Sequence, residues 1–360
     1  MVRKPQFQPD QPTPDRIDGV PLPRESELLI GQDEAEAALL EAFRSGRMHH
    51  AWLIAGEEGI GKASLAFRLA RFVLAYPDPS MDAVAAADDL DVPADHPAAI
   101  KVAHGTHGNV LHIQREWDER AKRFKTALTV DPIRRIIPFL GTTAGEGAWR
   151  VVIIDPADDM NRSAANALLK ALEEPPARTL FLLVSSMPGR LLPTIRSRCR
   201  LVSCRALDNG QMKRVLKGLE PGFDGRPDSE LILALAHGSP RRAIDLIREG
   251  GSDLYRLMLT AFDTPGHSNV AALAEKAADQ KSGGPERFLE LLSGYLDRRV
   301  RGLQEPETRH RPRQLLLATW AELWEKAARS SRDAEIYNLD VRHTVLDILE
   351  TYSDAIRQRN

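Results

Sequence analysis

The stretch AWLIAGEEGIGKASLAFRLARFVL, residues 51–74, contains the pattern that decides the fold of this chain. A short apolar run comes first, then a loop with three glycines, then a run with helical spacing. Gly56, Gly61 and Lys62 match the phosphate-loop spacing G-x-x-x-x-G-K in the strand–loop–helix context that this motif requires, and Gly59 lies inside the loop. Glycines let backbone amides turn toward an anion, while the lysine and the helix N-terminus add positive potential. The stretch predicts a loop of phosphate-binding origin; a plain glycine-rich turn is the alternative.

The loop lacks the hydroxyl that normally follows its lysine. Ala63 occupies the position where serine or threonine ligates magnesium in nucleotide-binding loops of this type. Ser64 comes one residue later, about 100° further round a helix, so its hydroxyl is expected to point away from the phosphates. We therefore predict a degenerate site in which ATP binding is weakened or lost, and a protein that requires no cofactor.

A second acidic motif departs from the ATPase pattern in the same direction. Residues 149–160 read WRVVIIDPADDM, an apolar strand ending in Asp155, which fits the carboxylate that orients the metal in such ATPases. Pro156 stands where a glutamate usually activates the attacking water, and proline has no group that can accept the proton. Asp158 and Asp159 are interpreted as a helix N-cap and a solvated charge; a replacement catalytic base is the alternative. The isolated chain is not expected to hydrolyse ATP.

Strand-like and helical runs alternate from about Ile30 to Cys204, which predicts a parallel sheet with helices on both faces. Asp131 is predicted to cap a helix that runs to Leu140, and residues 76–108 are interpreted as an insertion of irregular or partly helical structure. After Cys204 only helical spacing remains, broken near residue 265. The predicted strands are Ala51 to Ala55, Val110 to Ile113, Arg150 to Asp155, Thr179 to Ser185 and Arg200 to Ser203.

The composition, the net charge and the N-terminal sequence limit the class of protein to which this chain can belong. Apolar residues make up 42% and charged residues 28% of the 360 residues, as in globular domains, and the net charge of −2 provides no overall field that would attract nucleic acid. The N-terminus is polar and proline-rich, so neither a signal peptide nor a membrane anchor is expected, and a cytoplasmic location is predicted. The two cysteines, Cys199 and Cys204, are too few for a four-cysteine zinc site.

The run NRSAANALLKALEEPPARTLFLLVSSMPGRLLPTIRSRCR, residues 161–200, resembles the hallmark stretch of bacterial clamp-loader AAA+ subunits. The similarity extends more loosely over about residues 29–246. It implies a RecA-like α/β AAA+ domain followed by a helical lid and an all-helical collar. With the breaks described above, the predicted organisation is a flexible proline-rich tail (1–27), the AAA+ domain (28–205), the lid (206–265) and the collar, or oligomerisation domain (266–360).

The resemblance also assigns roles to single residues. In Ser197-Arg198-Cys199, Arg198 would be donated in trans to ATP on a neighbouring subunit, where its guanidinium stabilises charge on the transferred phosphoryl group. The alternative is that Arg196, Arg198 and Arg200 form a solvated basic edge along an emerging strand. Ser185 and Arg241 occupy sensor positions for the γ-phosphate; a strand-end hydroxyl and a surface arginine are the alternatives.

The chain has an intact Ser-Arg-Cys motif but a degenerate phosphate loop. This combination resembles the delta-prime class of this family more than its motors. The resemblance implies assembly with motor (tau/gamma) and delta subunits of DNA polymerase III, indirect action on the sliding clamp and primed DNA, and no membrane. Motors and many delta-prime proteins bind zinc through four cysteines in the insertion, which has none here, so no metal site is predicted.

Two other functions are also compatible with the sequence. One is a working AAA+ clamp-loader ATPase whose magnesium is held by Ser64 and Asp155. The other is a direct DNA-binding module that contacts phosphates through Lys170, Arg190 and the arginines of residues 196–200.

Overall fold

The computed structural model describes residues 13–14, 16–141, 148–263, 267–279 and 283–301, together with 321, 322, 325, 329, 346–348 and 350. The chain divides into two units, residues 1–211 and 212–360. The predicted flexible tail lies partly outside the described residues, and so does most of the predicted collar. The divisions between tail, AAA+ domain, lid and collar stay predictions.

Five parallel strands form the sheet of the first unit in the order β2-β5-β6-β1-β7. All five predicted strands are confirmed, although β5 ends one residue before Asp155. A small antiparallel pair, β3 and β4, lies outside this sheet. The strands are β1 (Ala51–Ala55), β2 (Val110–Ile113), β3 (Trp117–Asp118), β4 (Arg123–Phe124), β5 (Arg150–Ile154), β6 (Thr179–Ser185) and β7 (Arg200–Ser203).

Helices cover both faces of this sheet. Every residue of β1 and β6 is buried, as expected for central parallel strands packed on two sides. The helix over 162–173 packs Leu168 and Leu172 into one core cluster with Leu53 and Phe181, and the helix over 62–75 contacts β1, β5 and β6. The predicted α/β class is therefore confirmed. The helices of the first unit are α1 (Asp33–Arg44), α2 (Lys62–Ala75), α3 (Asp82–Ala85), α4 (Pro97–Ala103), α5 (Val130–Arg134), α6 (Ile136–Gly141), α7 (Arg162–Glu173), α8 (Pro193–Arg196) and α9 (Asn209–Leu219), the last of which continues into the second unit.

The single helix predicted from Asp131 to Leu140 is wrong. The chain forms α5 and α6 there, and α5 begins at Val130, so Asp131 lies in the first helical turn rather than at the N-cap. The break falls at Arg135. Pro138 explains it, because proline has no N–H to donate to the carbonyl four residues earlier.

A buried ion pair joins the insertion to the rest of the first unit. Arg68 Nε lies 2.5 Å from Glu36 Oε1, and both side chains are only 9% exposed. The same Glu36 oxygen accepts a hydrogen bond from the Leu90 backbone N–H, 2.9 Å away, and Arg68 Nη1 donates to the Glu27 carbonyl. One cluster therefore connects α1, α2, the insertion and the end of the predicted tail.

The second unit contains helices throughout its described residues, in agreement with the loss of strand signal after Cys204. Ser239 caps the second of these helices by accepting a hydrogen bond from the Arg242 backbone N–H. The predicted lid–collar boundary near residue 265 falls at 264–266, outside the described residues. The helices are α10 (Ser229–Ala236), α11 (Pro240–Arg248), α12 (Gly251–Asp263), α13 (His267–Ala278) and α14 (Gly284–Val300).

Asp228 is a buried carboxylate that accepts several hydrogen bonds in the second unit. Arg226 Nε and Nη2 lie 3.0 and 3.1 Å from its two oxygens, and Ser252 Oγ donates to Oδ2 across 2.6 Å. Burial raises the pKa of Asp228, but the hydrogen bonds from Arg226 and Ser252 outweigh this effect and hold the pKa below its ordinary value.

Asp228→Asn is expected to lower the free energy of unfolding by about 1–3 kcal/mol at pH 7, because a charged acceptor of three hydrogen bonds is replaced. A depressed folded pKa stabilises the fold above the unfolded value of about 3.9 and loses that effect as pH falls through the folded pKa. The difference between the two proteins should therefore shrink below pH 4. Urea unfolding at pH 7, 5 and 3 measures it, with exposed Asp224→Asn as the matched control. A difference that is equal at pH 7 and pH 3 contradicts the assignment.

Candidate functional site

The predicted strand–loop–helix context of the glycine-rich stretch is confirmed. The loop leaves β1 at Gly56 and enters α2 after Gly61, which has a φ of +98° and serves as the N-cap. A Cβ atom at position 56 would come within 2.6 Å of the Cys204 carbonyl oxygen, so the close approach of the loop to the end of β7 requires glycine there. The loop is therefore held against the carboxyl end of the sheet, where ligands of parallel α/β folds bind.

Lys62 is buried at the base of this loop and bonds to oxygens of its own chain. It is 5% exposed, and its Nζ donates to the Glu57 carbonyl and to Ser186 Oγ, the latter across 3.0 Å. Burial lowers the pKa of Lys62, and the nearby Asp155 carboxylate offsets part of that effect. Two of the three N–H donors of the ammonium are thus used within the chain.

Asp158 ties the turn after β5 to the end of β6. Its Oδ1 accepts a hydrogen bond from Ser185 Oγ at 2.5 Å, and its Oδ2 accepts from the backbone N–H of Ser186 at 2.5 Å and of Met187 at 3.1 Å. The interpretation of Asp158 as an N-cap and of Asp159 as a solvated charge is wrong. Asp159 forms an ion pair with Arg115 at 3.1 Å.

The remaining predicted nucleotide-site residues lie as follows. Ala63 and Ser64 are in the first turn of α2, both partly exposed, and Asp155 directly follows β5. Ser185 is fully buried and its hydroxyl donates to Asp158. Arg241 belongs to the second unit, where its Nε lies 3.6 Å from Asp245. The sensor roles of Ser185 and Arg241 stay predictions. Sequence reasoning missed Ser186, which carries no motif signal, and it missed the bonds of Asp158 to the end of β6, which form only because β5 and β6 are neighbouring strands.

Arg198 lies in the turn between α8 and β7, outside the strand along which the alternative interpretation placed it. Its Nη1 donates to the Thr194 carbonyl and its Nη2 to Glu173 Oε1, each across 3.0 Å. The side chain remains 35% exposed. The guanidinium is thus fixed at two points and still open to solvent.

The neighbouring arginines have different environments. Arg200 is the first residue of β7, and its guanidinium lies 5.1 Å from the centre of the Trp52 ring, within cation–π range. Arg196 is the exposed last residue of α8. Cys199 packs against the core cluster, and burial raises the pKa of its thiol to about 11. All three arginines are therefore at least partly exposed, but their contacts differ.

Comparison with known proteins identifies relatives of part of this chain. Residues 31–208 match the family described as DNA polymerase III, delta subunit. The delta-prime subunit of DNA polymerase III from Pseudomonas aeruginosa is 36% identical over 201 residues, which cover 56% of this chain and 56% of that protein. Residues 31–208 belong to the delta-prime clamp-loader family.

The chain spans about half the length of the delta-prime relative. A tau subunit from Salmonella typhimurium is 30% identical over 221 residues, 61% of this chain and 32% of that protein. The crystal structure of a gamma subunit-related protein from Thermotoga maritima has a TM-score of 0.43 and 18% identity, over 88% of this chain and 99% of that one.

Two features of the described residues concern metals and membranes. Among the described residues, no group of three or more His, Cys, Asp or Glu side chains is arranged to hold a metal ion. Within the same described residues, no helix is both long and apolar enough to cross a membrane. The absence of zinc, of a required cofactor and of strong ATP binding stay predictions.

Proposed function

We propose that this chain is a non-hydrolysing delta-prime subunit of a clamp loader that donates Arg198 in trans to ATP on a neighbouring tau or gamma motor subunit. With the motors and a delta subunit it would help place a sliding clamp on primed DNA during replication in the cytoplasm. The proposal rests on the different environments of the Lys62 and Arg198 side chains. Lys62 is buried and bonds to its own chain, whereas Arg198 is partly exposed and oriented.

The chain's own nucleotide site lacks two groups that a hydrolytic site needs, and its lysine is already engaged. Ala63 offers no hydroxyl to magnesium, and Pro156 offers no base to water. For Lys62 to bind a phosphate with all its donors, it would have to give up its bonds to the Glu57 carbonyl and Ser186 Oγ. These features favour a scaffold over a motor.

Arg198 has the chemistry that a trans-acting group needs. A guanidinium stays protonated, carries five N–H donors in a planar fork and matches the oxygens of a phosphoryl group. Thr194 and Glu173 engage Nη1 and Nη2, so further donors remain for a second acceptor. Presented to a neighbouring γ-phosphate, such a group stabilises the charge that develops as the phosphoryl group transfers.

Lys62→Met tests whether the chain's own loop contributes to ATP hydrolysis. We expect a clamp loader reconstituted with this variant to keep its DNA- and clamp-stimulated ATPase rate within about twofold of wild type, since the phosphate-loop lysine matters for turnover only where nucleotide is bound. Methionine keeps the buried aliphatic chain, and circular dichroism of the variant checks its fold.

A loss of tenfold or more, with the fold intact, would favour the working ATPase instead.

The direct DNA-binding alternative is tested by binding of primed DNA to the isolated chain at several salt concentrations. Steep salt dependence supports that alternative, because each phosphate contact releases counterions.

A further inference from the structure

The end of α7 holds the Arg198 guanidinium. Glu173 is the last residue of that helix, and its Oε1 accepts a hydrogen bond from Arg198 Nη2 across 3.0 Å. The second anchor, the Thr194 carbonyl at 3.0 Å from Nη1, belongs to the helix α8 just before the arginine. The guanidinium is therefore held between two separate helices.

The backbone that carries Glu173 is itself fixed. The preceding residue, Leu172, is 1% exposed and packs in the core cluster, and its carbonyl accepts a hydrogen bond from His50 Nε2 at 3.1 Å. His50 directly precedes β1, so this bond ties the end of α7 to the central part of the sheet. Pro175 and Pro176 then stop the helix from continuing.

We infer that Glu173 is a positioning residue for Arg198: its carboxylate fixes the guanidinium before a neighbouring nucleotide arrives. This inference rests on the proposed function. Ordering a long arginine side chain removes rotamer freedom, and a group ordered in advance does not lose that freedom at the moment of reaction. The contact uses one nitrogen of the fork, which leaves other donors for a phosphate oxygen.

Stability alone does not account for this ion pair. Glu173 is 52% exposed and Arg198 35% exposed, and pairs as open as this contribute little to folding. Removing the carboxylate should therefore leave the fold intact and change only the alignment of the guanidinium. The expected defect appears in the rate of the chemical step rather than in the affinity for ATP.

The experiment compares Glu173→Ala, Glu173→Gln and Glu174→Ala in the reconstituted complex with motor subunits, clamp and primed DNA. Single-turnover ATP hydrolysis at saturating ATP is measured, together with ATP affinity. We expect Glu173→Ala to slow hydrolysis about tenfold at the one site that Arg198 completes, with ATP affinity unchanged. Glu173→Gln should retain at least half the rate, because an amide oxygen can accept the same hydrogen bond. Glu174→Ala is the matched control on the next exposed carboxylate and should equal wild type.

The double variant Glu173→Ala/Arg198→Ala separates this inference from the proposed function. If Glu173 acts through Arg198, the double variant is no slower than Arg198→Ala alone. Equal rates for Glu173→Ala and wild type, with Arg198→Ala slow, overturn the positioning role and leave the proposed function standing. A faster Glu173→Ala also overturns it, because the carboxylate would then compete with the phosphate. An Arg198→Ala complex as fast as wild type overturns the proposed function itself.

Discussion

Replacing Arg198 with alanine is expected to slow ATP hydrolysis about 10³-fold at the one motor site that this arginine completes. The loss should be large because an arginine supplied in trans acts on charge that develops only in the transition state. Motor sites completed by other subunits would keep their rates, so the complex as a whole would show a partial loss in steady state. Single-turnover hydrolysis resolves the slow site as a separate phase.

Two variants make the Arg198 experiment specific. Arg196→Ala removes an exposed arginine two residues away and should leave hydrolysis unchanged. Arg198→Lys keeps the positive charge but loses the planar fork, so we expect it to recover only a small part of the rate. Size-exclusion chromatography establishes that each complex still assembles. Unchanged hydrolysis in an assembled Arg198→Ala complex would make this arginine a surface residue and refute the proposed function.

Arg68→Met is expected to lower the free energy of unfolding by about 3–5 kcal/mol, because it leaves the Glu36 carboxylate buried without its ion-pair partner. Methionine preserves the aliphatic packing in α2, so the loss would come from the missing guanidinium. Urea unfolding measures the loss. Hydrogen–deuterium exchange should show faster exchange in residues 76–108, since Glu36 also accepts the Leu90 backbone N–H there.

The controls for Arg68 use the same cluster. Asp91 lies 3.0 Å from Arg68 Nη1 but is 62% exposed, so Asp91→Asn should change the unfolding free energy by less than about 1 kcal/mol. The double change Glu36→Leu/Arg68→Met removes both buried charges and should recover much of the lost stability. An Arg68→Met protein within 1 kcal/mol of wild type would show that the ion pair does not anchor the insertion.

The local features of the fold could be predicted because neighbouring residues encode them. The run 51–55 is apolar at every position and became a buried strand, and the glycines that follow allow the tight turn into α2. The break at Arg135 was also readable in principle, since Pro138 cannot donate the hydrogen bond that a continuous helix needs.

The sequence by itself determined the defects of the ATPase site, because each consists of one missing functional group: the hydroxyl at Ala63 and the carboxylate at Pro156. Only the tertiary structure decided which partners the charged residues take. Asp158 meets Ser185, and Arg198 meets Glu173, because separate strands and helices bring them together. A hydrogen bond depends on distances of a few tenths of an ångström, and these are set by packing across the sheet, which residue order along the chain does not record.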